Sequence, residues 1–153
     1  MHKFCLLVAI VAVALVGCSK KSVDGSWNIA TDAKTMPAGT KLAATFSDGS
    51  KMHMTMDMDQ PIPGGKPAHI HGDIDGSYSF SGDIMELHAD SVNFTATGLP
   101  ESAKAMVDGQ MKTINEQTKN EINKEGREKY EKVDDNTFTL TGTQSKETFT
   151  RVK

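Results

Sequence analysis

Cysteine is nearly missing from this chain: there are two in 153 residues, Cys5 and Cys18, and none after position 18. A disulfide framework is therefore excluded for everything that follows, and stability must come from a packed core. Basic charge is not in excess either. Lys and Arg number 17 against 20 Asp and Glu, a formal net charge of −3. Nothing in that balance invites nucleic acid or an anionic membrane surface. Catalytic signatures are also absent. The chain has no Gly-x-Ser-x-Gly, no His-Glu-x-x-His and no phosphate-cradling Gly loop before a helix. An enzyme is not expected. A calcium loop at Asp73-Ile74-Asp75-Gly76-Ser77 fails too, since Tyr78 and Ile84 stand where an EF-hand needs Gly and Glu. Those residues read as loop and strand start.

Only one long apolar run exists, Phe4 to Val16, and it is too short to span a bilayer. With Lys3 before it, the run is built like the core of a secretory signal. Its end, Leu15-Val16-Gly17-Cys18, resembles a bacterial lipobox. The resemblance implies cleavage after residue 17, lipid on Cys18, and a membrane partner reached through that anchor. Ser19 after the Cys favours the outer membrane over the inner if the host is Gram-negative. Loss of residues 1–17 leaves 16 basic and 20 acidic side chains, a formal charge of −4. The expected divisions are a signal over 1–17, the lipidated Cys and tether over 18–23, and one domain over 24–153.

What is present is alternation. Leu42, Ala44 and Phe46 occupy every second position, as do Met52, Met54, Met56 and Met58. This is the pattern of strands with one buried face. Asp48-Gly49 marks the turn between them, and pairing residue 46 with residue 50 leaves a three-residue loop. Tyr78 and Phe80 face Met85 and Leu87 across Gly82-Asp83 in a second hairpin. Val92, Phe94 and Ala96 read as a further strand. From Glu101 to about Lys124 the period changes: Ala103, Met106, Val107, Met111, Ile114, Thr118 and Ile122 recur at threes and fours. One amphipathic helix follows, opened by Pro100 and ended by Gly126. Phe138 with Leu140, and Phe149 with Arg151, return the chain to strand.

Gly25-Ser26-Trp27 at the start, hairpins of the Gly76-to-Asp83 kind and Arg151 in the last strand resemble the bacterial lipocalin-like, calycin-type lipoproteins. The resemblance implies a mainly β fold: an antiparallel meander curled into a small barrel, with Arg151 stacked on Trp27 as structural closure. About seven strands are visible, short of a full eight, so both a complete and an incomplete barrel stay open, the helix before the last hairpin covering the open side in the second case.

Two residue sets could carry function. The leading expectation is a non-enzymatic binding module for a small apolar or amphipathic ligand, lined by Phe46, Met52, Met54, Met56, Met58, Tyr78 and Phe80. Thioethers can also hold Cu(I) or Ag(I), and His53, His69, His71 and His88 suit copper or zinc, so an extracytoplasmic metal-binding protein is the alternative. Alternation turns all four histidines away from the Met ladder, and a surface site with Asp57 is the form it would take. A protein-interaction or scaffold module of the envelope is a third reading. No cofactor is required by any motif.

Overall fold

A computed structural model of the chain describes residues 21–32, 36–37, 39–62, 66–143 and 145–153. The apolar run expected to be a signal and Cys18, the expected lipidation site, lie outside the described residues. The elements are β1 (Gly25–Thr31), β2 (Lys41–Ser47), β3 (Lys51–Gln60), β4 (Ala68–Ser81), β5 (Ile84–Thr97), α1 (Glu101–Glu125), β6 (Arg127–Asp134), β7 (Thr137–Thr141) and β8 (Lys146–Arg151). Each strand pairs antiparallel with the next, and β8 returns to β1, so the sheet closes into an eight-stranded barrel. The mainly antiparallel β fold with one helix is as expected, and the ring is complete, a point the strand count left open.

The strand that the pattern hid is β6. Its inward positions carry Glu128 and Tyr130, and a carboxylate where alternation calls for an apolar residue conceals the period. The segment Val92 to Ala96 is not a separate strand but the far half of β5. Gly76 pairs with Ala89 while Asp75 pairs with Ser91, so Asp90 is left over as a bulge and the inward parity changes from odd to even. Gly76 is required there, because a Cβ would strike the His88 carbonyl. Residues 73–77, expected as loop and strand start, are mid-strand in β4.

The central hairpin has its own correction. Phe46 pairs with Met52, not with residue 50, and the loop is Asp48-Gly49-Ser50. Asp48 (φ 55°) and Gly49 (φ 65°) are both left-handed, and the Ser50 N–H donates to the Ser47 carbonyl at 3.1 Å. A two-residue shift preserves parity, so Phe46 and the Met ladder still share the inner face. The second hairpin pairs Phe80 with Met85 and Tyr78 with Leu87, as expected.

One end of the barrel is filled by aromatic rings. Trp27 meets Phe138 edge-on at 4.7 Å, Phe46 meets Tyr78 at 5.1 Å, and Phe138 stacks on Phe149 at 4.4 Å. Each such side chain contributes roughly 1.5–3 kcal/mol by burial. The Arg151 guanidinium lies 4.4 Å from the Trp27 ring centroid and donates to the Asp24 carbonyl at 3.1 Å. Residues read as tether belong to this end. Val23 is 1% exposed, and its carbonyl accepts the Trp27 Nε1–H at 2.7 Å. Asp24 Oδ1 accepts from the Tyr78 hydroxyl and the Gly49 N–H. The fold therefore starts before residue 24.

The opposite end is arranged differently. β6 pairs with β5 only along Ile84–Glu86, which leaves the rest of that β5 edge without a strand partner. α1 covers it. Asn123 takes the Ala89 N–H at 2.7 Å and donates to its carbonyl at 3.1 Å, while Asn115 takes the Phe94 N–H at 2.7 Å. Asn115, Lys119 and Asn123 recur every four residues, so one helix face satisfies the edge. Met106 and Ile114, expected within the buried stripe, are exposed at 63% and 40%. No residue of α1 is fully buried; Ala103, Val107, Met111, Asn115, Thr118, Lys119 and Ile122 are half-buried on the covering face. Among the described residues no helix is long and apolar enough to cross a membrane.

Candidate ligand cavity

Beyond the aromatic plug the barrel is hollow. The space reaches the β1–β2 and β7–β8 connections through Asp32, Met36 and Ser145, and α1 contributes Thr118 and Ile122 beside the short β5–β6 pairing. The result is a cavity of about 710 Å³. Its wall is mostly apolar: Leu42, Met52, Met54 and Met56 from β2 and β3, Ile74 and Phe94 from β4 and β5, Ile122 from α1. Register explains the grouping, since Leu42 pairs with Met56, Met54 with Ile74, and Gly72 with Phe94. Gly72 makes room for the Phe94 ring, which lies where its Cβ would stand.

Of the side chains expected to line a ligand site, Met52, Met54 and Met56 line this cavity. Phe46, Tyr78 and Phe80 do not. They belong to the filled end, where Phe80 meets Tyr78 at 6.0 Å and Tyr130 at 5.1 Å. Met58, one turn of the pleat beyond Met56, pairs with Ile70 and is half-buried outside the cavity wall. Trp27 and Arg151 are also away from it and close the plugged end. Burial and the Asp24 carboxylate push the Tyr78 phenol up to about 12, so it stays a neutral donor.

Sequence reading missed the polar part of the wall. Glu128 from β6 and Glu147 from β8 both face inward, as their partners Met85 and Leu140 require. Burial first, and the charge of Glu147 second, push the Glu128 carboxyl up to about 7. The Ser145 hydroxyl donates to Glu147 Oε1. Glu147 Oε2 is buried and has no hydrogen-bond partner among the described residues. A signal existed: Glu147 has the same parity as Phe149.

The histidines form a different pattern. On the outer face of β3 and β4, Asp59, His69, Asp57, His71, Asp73, His53 and Asp75 make one alternating row of acids and imidazoles. Successive nitrogen–oxygen distances are 3.0, 3.3, 2.7, 3.1, 3.7 and 2.7 Å. The hydrogen bond to Asp57 raises the His71 pKa, and the same bond lowers that of Asp57. His88 stands apart, 3.6 Å from Asp90 on β5. The four histidines thus do not form one set. Among the described residues no three His, Cys, Asp or Glu side chains converge so as to hold a metal ion. The imidazoles instead have carboxylate partners, and the Met ladder lies on the other side of the sheet.

Comparison with models of known protein families and with curated proteins finds no match for this chain.

Proposed function

We propose that this chain is an exported lipoprotein whose lipocalin-like barrel binds a small apolar or amphipathic molecule without transforming it. The observation that carries the reading is the cavity. Its volume of about 710 Å³ falls within the range of about 300–1,000 Å³ typical of small-molecule sites, and its wall is chiefly thioether, aliphatic and aromatic. An isolated small barrel with no ligand to hold is more often filled by its own side chains. Here the aromatic residues fill one end only.

Lipid attachment at Cys18 rests on the Lys3 start, the apolar run and the Leu15-Val16-Gly17-Cys18 ending. Lys21, at the plugged end, donates to the Gly82 carbonyl at 2.7 Å. Three residues of chain reach at most about 11 Å. An anchor at Cys18 therefore holds the plugged end beside the bilayer and turns the cavity mouth away from it. Such an orientation suits collection of a ligand from the aqueous compartment, and the outer membrane is the favoured site in a Gram-negative host.

The test is an equilibrium titration with the neutral dye N-phenyl-1-naphthylamine. Saturable one-to-one binding, lost on Ile74→Trp while thermal unfolding stays cooperative, is the expected result. Equal dye response in the native chain and the filled variant contradicts the proposal. For the anchor, Cys18→Ser moves the protein from the membrane fraction to the soluble one; retention in the membrane contradicts it.

A further inference from the structure

The charged groups on the described wall of the cavity are of one sign. Among its described wall residues are three carboxylates, Asp32, Glu128 and Glu147, and no lysine, arginine or histidine. They enter from separate elements: Asp32 from the segment after β1, Glu128 from β6, Glu147 from β8. The other walls supply no charge, since β2, β3, β4 and β5 give apolar side chains and Thr55, and α1 gives Thr118 and Ile122. An adjoining recess of about 270 Å³ runs from Glu128 to Glu121 and Glu125 of α1, so the approach is acidic as well.

These carboxylates differ in what they already hold. Asp32 Oδ1 accepts the Lys146 N–H at 2.7 Å, which ties the β1 end to β8 at the rim. Glu147 Oε1 is taken by Ser145, whereas Glu147 Oε2 is shut from solvent with no donor among the described residues. A buried acceptor without a partner is costly, and such groups are normally satisfied. Any head group that enters the cavity meets carboxylates and hydroxyls on its described wall and no cation. The second carboxylate, Glu128, sits close enough to Glu147 for their charges to interact.

Resting on the reading of the cavity as a ligand site, we propose that its ligand is an amphipath with a cationic, donor-rich head, of the class of protonated alkyl amines. The head sits between Glu128 and Glu147, and the tail runs along Met52, Met54, Met56 and Ile74. Fatty acids are the wrong class for this wall, because their carboxylate would be placed against like charges with no compensating cation. The acidic recess draws cations toward the mouth and repels anions.

Three probes of equal chain length separate the head from the tail: octylamine, octanol and octanoate, each competing with N-phenyl-1-naphthylamine at pH 7. One charge-assisted hydrogen bond in a water-poor site makes octylamine about tenfold more effective than octanol. Octanoate is the weakest of the three. Glu128→Gln combined with Glu147→Gln removes the difference between amine and alcohol. The inference is overturned if octanoate competes as well as octylamine, or if the amine preference survives in the double variant. If the double variant does not unfold cooperatively, the ranking of the three heads on the native chain decides alone. Dye and octanol binding with no preference among heads overturns this inference and leaves the cavity reading standing. Failure of the native chain to bind dye overturns both.

Discussion

Replacing Glu128 by glutamine should make the protein more stable at alkaline pH and should flatten a pH dependence that the native chain carries. The ordinary carboxyl value of 4.5 is raised to about 7 at this position, chiefly by burial. Below pH 4.5 the group is protonated in both folded and unfolded chains, so its contribution to stability is fully present there. Above it the unfolded chain ionises first, and stability falls until the pH passes the folded value near 7. At about 1.4 kcal/mol for each tenfold difference, the loss is about 3 kcal/mol. Glutamine keeps the shape and cannot ionise. Urea unfolding at pH 4.5 and pH 8 should therefore show native and Glu128→Gln chains diverging by about 3 kcal/mol at the higher pH. In a thermal melt that is on the order of 10 °C. Glu147→Gln should recover a smaller part, since its charge is the lesser cause. A native-minus-variant difference that stays constant from pH 4.5 to pH 8 refutes the reasoning.

Asn123→Ala leaves the Ala89 N–H and carbonyl without their partner, at a cost of about 1–3 kcal/mol; amide exchange at Ala89 should accelerate while that at Met85, within the β5–β6 pairing, does not. Gly25→Ala places a Cβ 2.5 Å from Arg151 Nη1 on a residue at φ 129°. It should cost about 1–3 kcal/mol from backbone strain, with more from displacing the cation from Trp27. Adding Arg151→Ala relieves the contact but not the strain, which a double-mutant cycle of unfolding free energies resolves. In the His–Asp row, His71 contributes stability below its ordinary value of 6.5, lost as pH rises through its raised folded value. Asp57 contributes above 3.8, lost as pH falls through its lowered folded value. The pair thus stabilises most between those limits, and Asp57→Asn should return the His71 NMR titration toward its ordinary midpoint.

Alternation made most of the fold legible. Where every second residue was apolar, as from Leu42 to Met58, the inner face could be assigned, and a register slip of two residues at Asp48-Gly49 did not disturb it. Alternation failed where an inward position carried charge. Glu128 concealed β6, and with β6 the closure of the ring. It also failed across the Asp90 bulge, where one extra residue made a single strand resemble two. The cavity was harder to see for a further reason. Parity tells which side chains point inward, not whether those from opposite walls meet. Phe46, Tyr78 and Phe80 do meet other rings and fill their end. Met54 and Met56, with identical parity, meet space. The helix was legible as a helix, and most of its half-buried residues are the expected apolar ones, but the two asparagines that satisfy the β5 edge are marked by no apolar pattern.

The central claim is that the hollow half of the barrel, not its surface, takes an apolar chain. Methionine methyl NMR with octanol as titrant tests it most directly, because the methionines sample every relevant position. Met52, Met54 and Met56 line the cavity, whereas Met106 is exposed on α1. The account predicts saturable shifts of the Met52, Met54 and Met56 methyls, and of Met36, which also lines the cavity, with Met106 unmoved. Shifts confined to Met106, or no shift at any methionine, contradict it.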